Sequence, residues 1–281
     1  MGAYLRPRHL DDALAAIATR PYTILAGGTD FYPARATRAR DEDVLDISAI
    51  SGLRAVERVA AGWRIPALVT WSDIIDAKLP AAFAGLKQAA REVGGVQVQN
   101  TGTVCGNVCN ASPAADGIPN LLALDAVVEL ASRAGIRTLP IQDFVLGNRL
   151  TARRPDEIVT AVVVPHLEGE ARSTFRKLGA RRYLVISIVM VAVVLAMSDK
   201  GTIRHARVAV GASAATALRL PLLESDLIGH ELAPALEDVA AANHLASLAP
   251  IDDMRATADY RRDAALTLLR RALAELSGGI A

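Results

Sequence analysis

The segment NTGTVCGNVCNASPAAD, residues 100–116, decides how the rest of this sequence is interpreted. Small and hydrogen-bonding side chains dominate it, and no charged side chain occurs before Asp116. A surface linker would carry Lys or Glu, whereas this composition suits a backbone that touches a bulky polar ligand along its length. A tightly packed buried turn held by Asn and Thr side chains is the alternative interpretation.

A second glycine-bearing segment, LAGGTD at residues 25–30, ends a run that predicts a β-strand over residues 22–26. Adjacent glycines let the backbone turn tightly and approach a ligand, and successive N–H groups there can bind an anion. We expect an α-helix to start near Asp30, where its dipole would reinforce anion binding. The alternative is a plain strand–helix turn in which Thr29 or Asp30 caps the helix. Two such segments in one chain favour a ligand site over two unrelated turns.

The charge balance gives no support for a nucleic-acid or polyanion partner. The chain has 281 residues, of which 31 are basic and 30 acidic, so no net field would attract a polyanion. Aromatic residues make up 4% of the sequence, which also argues against stacking platforms for bases. Hydrophobic residues make up 52%, and a chain of this length and composition can bury enough surface for two domains.

The cysteine and histidine content indicates neither a disulfide scaffold nor a metal site. The two cysteines, Cys105 and Cys109, are too few for a disulfide-rich secreted domain or for a four-thiolate iron–sulfur cluster. We therefore interpret both as small buried hydrophobic side chains and expect a cytoplasmic protein. The sequence lacks Gly-x-Gly-x-x-Gly, Walker and His-Glu-x-x-His motifs. Its longest apolar run, residues 184–197, is too short for a membrane helix.

The order of the predicted elements indicates an α+β fold with segregated layers. Strands and helices mix up to a strand at residues 158–164, which stops at Pro165. The polar segment 166–172 changes the composition, and we place a domain boundary there. Beyond the boundary we predict strands at residues 173–178, 184–196 and 203–211, followed by helices at residues 217–225, 234–248 and 257–276.

Four segments in order along the chain resemble the FAD-binding medium subunits of molybdenum hydroxylases, the family of xanthine dehydrogenase and carbon monoxide dehydrogenase. Residues 26–30 resemble its Ala-Gly-Gly-x-Ser/Asp element, and residues 97–116 resemble its Gln-Val-Arg-Asn-x-Gly-Thr-x-Gly-Gly-Asn…Ala-x-Pro-Ala-Ala-Asp element. Residues 175–182, FRKLGARR, resemble its Lys-x-x-x-Arg-Arg element, and the fourth match covers residues 249–262. Together they span nearly the whole chain.

Two positions depart from the family pattern. Gln99 stands where the family often has Arg, which removes a charge that could pair with a partner or a phosphate. Cys105 stands where the family often has Gly, so the backbone there must adopt ordinary dihedral angles. Neither change removes the backbone amides on which anion binding would depend.

The resemblance implies the fold in more detail. It implies a PCMH/VAO-like FAD-binding domain at residues 1–168, made of two α+β subdomains at roughly residues 1–55 and 56–168. Residues 169–281 would form a C-terminal antiparallel sheet with a helix bundle, of the type found in the CO dehydrogenase flavoprotein.

The resemblance also implies which residues hold the diphosphate and ribityl chain of FAD. Gly27, Gly28 and Thr29 would bind the diphosphate, within a binding segment that also includes Leu25, Ala26 and Asp30. Thr103, Gly106 and Asn107, together with Thr101, would contact the diphosphate and ribityl chain from the other side. Asp116 would accept hydrogen bonds from ribityl hydroxyls, or it is instead a helix N-cap before Ile118.

For the flavin ring, the resemblance implies apolar or backbone contacts from Val93, Cys109 and Val159. Lys177 would lie near the ring, where a cation stabilises the reduced, anionic flavin. The alternative for Lys177 is a solvated charge on a strand.

The implied reaction is shared between subunits, and this chain needs no catalytic acid, base or metal of its own. A large subunit would carry molybdopterin and hydroxylate the substrate, and a small subunit would carry two [2Fe–2S] clusters that pass electrons to the FAD. An acceptor such as NAD or quinone would reoxidise the FAD, and the assembly would be a dimer of heterotrimers. Two rival functions remain at this stage: a self-contained flavin oxidoreductase of the same fold, and a flavin-free scaffold subunit.

Overall fold

The computed structural model of this chain describes residues 2–36 and 41–278. Strands form one small parallel sheet, two larger antiparallel sheets and a short hairpin. The strands are β1 (Tyr4–Leu5), β2 (Thr23–Leu25), β3 (Val44–Asp46), β4 (Glu57–Val59), β5 (Gly62–Pro66), β6 (Val127–Ser132), β7 (Gly135–Pro140), β8 (Val145–Gly147), β9 (Leu150–Thr151), β10 (Ile158–Pro165), β11 (Glu170–Leu178), β12 (Val189–Met197), β13 (Ile203–Gly211) and β14 (Leu218–Arg219).

The helices lie between these strands and at the C-terminus. They are α1 (Leu10–Ile17), α2 (Trp71–Asp76), α3 (Ala84–Glu92), α4 (Val96–Gln99), α5 (Val104–Asn110), α6 (Gly117–Ala123), α7 (Ile141–Phe144), α8 (Pro221–Leu227) and α9 (Ala258–Leu276). Within the described residues, no helix is both long and apolar enough to cross a membrane.

The N-terminal sheet has the order β1-β3-β2, with parallel pairing throughout. Helix α1 buries Ala13, Leu14 and Ile17, the face that its 3.6-residue periodicity predicts. Strand β2 ends at Leu25, so the chain leaves the sheet immediately before the glycine pair. This position delivers residues 26–30 to the carboxyl end of a parallel sheet, where α/β folds commonly bind ligands.

The second sheet has the order β4-β5-β10-β6-β7. Its central strand β10 is buried along almost its whole length, which explains its unbroken Val/Ile composition. Strand β7 was not predicted. Residues 135–140 include a charged side chain and are exposed or half-buried, so they lack the apolar pattern of a buried strand. Strands β4 and β5 form an antiparallel hairpin in which Val59 pairs with Gly62.

The C-terminal sheet has the order β11-β12-β13-β14, and its strand β12 is buried on both faces. Along β12, Met190, Ala192, Val194 and Ala196 belong to the core shared with the N-terminal part. Val189, Val191, Val193 and Leu195 belong to the core under the C-terminal helices. Burial on both faces explains why this strand is a continuous apolar run rather than an alternating one. The strand begins at Val189, five residues later than predicted.

The three predicted C-terminal helices agree with the structure to different degrees. The first was predicted at residues 217–225, but α8 begins at Pro221 because residues 218–219 form β14. The prediction was wrong for the middle one. Residues 234–248 form two separate 3₁₀ turns, Pro234–Val239 and Ala242–Leu245, instead of an α-helix. The first begins at Pro234, and the backbone at Ala240 is extended, which interrupts any continuous helix. The third helix agrees with the prediction, and Thr257 caps it by accepting from the N–H of Tyr260.

Helix α3 joins the N-terminal part to the C-terminal sheet. The N–H of Gly85 donates to Ser173 Oγ at 2.8 Å, and the N–H of Phe175 donates to Gln88 Oε1 at 2.6 Å. The chain passes from β10 to β11 within residues 166–169. We propose that the two domains meet between residues 168 and 169. We also propose that the FAD-binding domain divides into two subdomains near residue 55.

Candidate functional site

The two glycine-bearing segments line one cleft of about 580 Å³ between the N-terminal sheet and helix α5. Most of the residues singled out in the sequence lie in its wall. These are Ala26, Gly27, Gly28, Thr29, Asp30, Val93, Thr103, Gly106, Asn107, Cys109 and Val159. The cleft therefore brings together residues from distant parts of the sequence, as a shared ligand would require.

The first wall of the cleft is the loop at residues 26–30. Within the part of the chain that the structure describes, the N–H groups of Gly27, Gly28, Thr29 and Asp30 donate no hydrogen bond. Gly28 has φ +77°, a left-handed conformation that glycine adopts without strain. Four successive unpaired donors form a ready site for an anion such as a diphosphate.

The helix expected at Asp30 does not form, and that prediction was wrong. In the described residues that follow the loop there is one 3₁₀ turn, Pro33–Arg35, with no side-chain cap. Neither Thr29 nor Asp30 is therefore an N-cap, and no helix dipole assists this wall. Its anion-binding capacity rests on the loop amides alone.

The two segments touch each other at Gly27. A Cβ atom at this position would lie 1.9 Å from the carbonyl oxygen of Thr101, so only glycine allows the approach. Further along, the N–H of Trp71 donates to the carbonyl of Gly102 at 3.2 Å and anchors the second segment to α2. The contact between Gly27 and Thr101 fixes the spacing between the two walls.

The second wall is largely helical, although its composition of small polar residues suggested a loop or turn. Thr103 caps α5, since its hydroxyl accepts from the N–H of Gly106 at 2.9 Å. The N–H of Val104 donates to the carbonyl of Val69 at 3.0 Å. Asn107 differs from these paired groups: its Oδ1 atom is buried and has no hydrogen-bond partner among the described residues. An unpaired buried acceptor in a cleft wall is a group that a bound ligand can satisfy.

One end of the cleft is apolar and is built from α5 and β10. Cys105 is buried, its thiol donates to the carbonyl of Ile65 at 3.5 Å, and burial raises its pKa. Cys109 is solvent-exposed as a residue, yet burial around its sulfur raises the thiol pKa to about 11. The Arg153 guanidinium, which lines the same cleft, acts against that rise. Neither thiol is therefore a reactive thiolate at neutral pH.

Leu25, Thr101, Asp116 and Lys177 do not line the cleft. Leu25 is buried in the sheet, and Thr101 donates to the carbonyl of Gln97 at 2.9 Å on the exposed side of its loop. Asp116 and Lys177 lie behind the second wall and form an ion pair of 2.6 Å, with only 7% and 4% of their side chains exposed. These four residues, which the resemblance assigned to FAD binding, therefore lie near the cleft but not on its surface.

The surroundings of Asp116 exclude both simpler interpretations of the buried pair. Asp116 occupies the N-cap position of α6 but its side chain makes no capping hydrogen bond, and the burial of Lys177 excludes a solvated strand charge. Burial raises the pKa of the Asp116 carboxyl, against the opposing effects of Lys177 and Ser187, whose hydroxyl donates to Oδ1 at 2.6 Å. A Cβ atom on the adjacent Gly117 would lie 2.8 Å from Asn107 Oδ1, so this cluster packs directly against the cleft wall.

The two departures from the family pattern cause no visible conflict. Gln99 is buried and donates from Nε2 to the carbonyl of Arg91 at 3.0 Å, so it takes no part in anion binding. Cys105 lies inside α5, where ordinary helical dihedral angles apply.

Sequence reasoning missed several residues of the cleft. Arg35 pairs with Glu42, and its guanidinium lies 3.7 Å from the centre of the Phe31 ring. Arg149 lies between β8 and β9, and Arg153 lies in the segment that joins β9 to β10. Three arginines within residues 149–154 could have indicated a cationic rim. Nothing in the sequence, however, indicated that these arginines would lie near α5. No group of three or more His, Cys, Asp or Glu side chains in the described residues could hold a metal ion.

Comparison with known families agrees with this arrangement. Residues 1–167 match the family described as the FAD-binding domain in molybdopterin dehydrogenase. Residues 173–276 match the CO dehydrogenase flavoprotein C-terminal domain.

The chain belongs to the FAD-binding subunits of the molybdopterin dehydrogenases.

Individual relatives and a solved structure extend over the same length. The nicotine 6-hydroxylase medium subunit of Paenarthrobacter nicotinovorans is 32% identical, over 97% of this chain and 96% of the relative. The glyceraldehyde dehydrogenase medium chain of Sulfolobus acidocaldarius is 30% identical, over 98% of each chain. A chain of the reconstituted CO dehydrogenase from Oligotropha carboxidovorans superimposes with a TM-score of 0.89 at 28% identity, covering 100% of this chain and 99% of that one. The α+β fold with its FAD-binding and C-terminal parts is thus confirmed, and FAD is the cofactor of this family's N-terminal domain.

The residues present fit FAD. The cofactor has an anionic diphosphate, hydroxylated ribityl and ribose groups, and two flat ring systems, the flavin and the adenine. The cleft offers four unpaired amides, one unpaired buried carbonyl oxygen and an apolar end formed by Cys105, Ile158 and Val159. These three kinds of surface occur in one continuous space, which is the requirement for a single extended ligand.

Proposed function

We propose that this chain is the FAD-binding electron-transfer subunit of a molybdenum-containing hydroxylase or dehydrogenase complex. The observation that carries the proposal is the convergence of four unpaired amides at residues 27–30 and the unpaired Asn107 Oδ1 on one cleft. Free donors bind the diphosphate, and the free acceptor takes a hydrogen bond from a ribityl hydroxyl.

The bound cofactor supplies the redox chemistry, since a flavin accepts two electrons and releases them to a separate acceptor. The chain's own residues position it. Gly27, Gly28 and Thr29 hold the diphosphate, while Thr103, Gly106 and Asn107 approach from the opposite wall. Val93, Cys109 and Val159 exclude water from the ring.

Four further residues complete the proposed binding set without lining the cleft. Leu25 and Thr101 fix the two segments at the point where they touch. Asp116 is proposed to reach the ribityl hydroxyls from behind Asn107, and Lys177 neutralises it. The surrounding cluster is preassembled, so the cofactor would enter a site whose charges are already paired.

The proposed partners are a large molybdopterin subunit and a small subunit with [2Fe–2S] clusters. Relatives of this chain are medium chains, among them that of the carbon monoxide dehydrogenase of Hydrogenophaga pseudoflava, at 29% identity. Substrate hydroxylation would take place in the large subunit, and electrons would reach this chain through the clusters. An external acceptor such as NAD or quinone would then receive them, in a cytoplasmic dimer of heterotrimers.

The test is FAD binding by the purified full-length chain. We expect one FAD per chain, bound non-covalently and retained through desalting, with flavin absorbance as the readout. Absence of retained flavin would refute the proposal and favour a flavin-free scaffold. Steady turnover of a small substrate by the isolated chain would favour a self-contained oxidoreductase instead. Purification with a molybdenum- and iron-containing complex from the native source would support the proposed partners.

A further inference from the structure

Arg261 is a buried cation near the start of α9, and it does not line the cleft. Only 4% of its side chain is exposed, and the carboxylate of Asp253 neutralises it at 2.7 Å. Its Nη1 atom donates to two main-chain carbonyl oxygens, that of Ile188 at 2.5 Å and that of Ala212 at 3.0 Å. One side chain therefore joins α9 to the C-terminal sheet.

The two carbonyls lie at neighbouring strand ends. Ile188 immediately precedes β12, and Ala212 immediately follows β13, which pairs with β12. The guanidinium of Arg261 is planar and rigid, so it holds both carbonyls in a fixed relation to each other.

The first carbonyl leads to Asp116, behind the second wall of the cleft. Ser187, the residue before Ile188, donates from its hydroxyl to Asp116 Oδ1 at 2.6 Å. Lys177 donates to the other oxygen of the same carboxylate. A shift of the main chain at Ile188 would therefore move one of the two groups that orient Asp116.

The second carbonyl leads to the end of the segment at residues 100–116. The N–H of Ala212 donates to the carbonyl of Pro113 at 2.9 Å, so both main-chain polar groups of Ala212 are engaged. Ala212 has φ +59°, a left-handed conformation that is strained for a residue with a Cβ atom and persists only where neighbours hold it. Arg261 makes one of the contacts that hold it. Without Arg261, relaxation of Ala212 would shift the main chain at Pro113.

We propose that Arg261 is a positioning residue for FAD, which acts through Ser187 and Ala212 to hold the second wall of the cleft in its binding geometry. The inference rests on the proposed function, because it requires FAD to bind against that wall. It gives the C-terminal part of the chain a role in binding a ligand of the N-terminal part. It also gives a role to residues 249–262, the fourth segment of the family resemblance, which supplies Arg261.

The experiment measures the FAD affinity of the full-length chain in Arg261→Met and in two control variants. We expect Arg261→Met to bind FAD roughly tenfold more weakly, which is the order of one hydrogen bond to a charged group. Arg262→Met removes an exposed arginine at the next position of α9 and should keep the wild-type affinity. Leu273→Ala removes a fully buried side chain from the core under the C-terminal helices. It should lower the urea concentration at half-unfolding without changing FAD affinity.

A double-mutant cycle separates positioning from a general loss of stability. Ser187→Ala removes the hydroxyl through which Arg261 is proposed to act. The combination of Ser187→Ala with Arg261→Met should therefore weaken FAD binding by less than the product of the two single effects. The combination of Ser187→Ala with Leu273→Ala should give the full product.

Three results would overturn the inference: wild-type FAD affinity in Arg261→Met, equal losses of affinity in Arg261→Met and Leu273→Ala, or independent effects of Arg261→Met and Ser187→Ala. If Arg261→Met does not fold, Arg261→Lys is measured in the same cycle, because lysine keeps the charge but lacks the planar guanidinium. Independent effects there equally overturn the inference. Failure of the wild-type chain to bind FAD would refute the proposed function instead, so the two failures are distinguishable.

Discussion

The two walls of the cleft have similar compositions but different structures. Among the described residues, 26–30 form an irregular loop with four unpaired amides, whereas in the first turn of α5 the N–H groups of Val104, Gly106 and Asn107 are paired. The first wall can therefore donate hydrogen bonds to a ligand. The second wall offers one unpaired acceptor, Asn107 Oδ1, and a close approach of small residues.

This difference shows that a glycine- and threonine-rich composition does not by itself specify how a segment binds a ligand. The first wall has no helix behind it and is held in place by its contact with Thr101. The second wall is held by the capped turn and by the buried cluster of Asp116, Lys177 and Ser187. Each wall can be disrupted separately, and the three predictions below do so, from the largest expected effect to the smallest.

The largest effect should come from breaking the buried pair behind the second wall. Asp116→Ala leaves the Lys177 ammonium buried without a partner, which we expect to lower the free energy of unfolding by about 3–5 kcal/mol. The double variant Asp116→Ala/Lys177→Met should recover most of that loss, because no uncompensated charge remains. Urea unfolding of the apoprotein measures both.

FAD affinity separates the two roles of Asp116. If it contacts the ribityl chain as proposed, the double variant should still bind FAD more weakly, by roughly 1.5–3 kcal/mol. Full recovery of affinity together with stability would show that Asp116 only supports the wall. Ser187→Ala, which removes one of its two hydrogen-bond partners but not the ion pair, is a suitable milder control.

An intermediate effect should come from forcing the two walls apart. In Gly27→Ala the new Cβ would lie 1.9 Å from the Thr101 carbonyl, so at least one wall must move. We expect an overpacking cost of about 1–3 kcal/mol, and an FAD affinity lowered by a comparable amount, because the unpaired amides shift with the loop. Fluorescence titration with FAD measures the change.

Gly147→Ala is the matched control for this substitution. Gly147 has an ordinary φ, and a Cβ there would have Leu150 Cβ as its nearest neighbour, at 3.9 Å. Equal FAD affinity in Gly27→Ala and Gly147→Ala would contradict the convergence of the two walls on one ligand.

The sequence was informative where local chemistry controls structure. Periodicity located α9 and the strand β10, because apolar residues recur at helical spacing or fill a fully buried strand. It failed after Gly28, where an expected helix gave way to a 3₁₀ turn, and at residues 234–248, where Pro234 and an extended Ala240 break the helix. Small polar residues at 100–110 suggested a loop, although Thr103 caps a helix there.

For the site, the sequence and the resemblance predicted most of the residues in the cleft wall. They did not predict which charged residues pair with each other. Lys177 and Asp116 are sixty-one positions apart, and only the tertiary structure, in which α6 packs against the C-terminal sheet, shows that they neutralise each other. Arg153 was overlooked for the same reason, since its place in the cleft wall that also holds Cys109 depends on how β10 packs against α5. Contacts between distant segments decide which charges remain unpaired, and one sequence does not contain that information.

The smallest effect should come from Asn107→Ala, which tests the second wall's own contribution to binding. Removing an acceptor that has no partner should change the stability of the apoprotein little, since no hydrogen bond is lost. FAD binding should nevertheless weaken by about 1 kcal/mol, or roughly fivefold, because a ligand hydroxyl loses its partner. A residue that served only packing would show the reverse: destabilised apoprotein with unchanged affinity. Comparing urea unfolding with FAD titration for this one variant therefore decides whether Asn107 Oδ1 accepts a hydrogen bond from the cofactor.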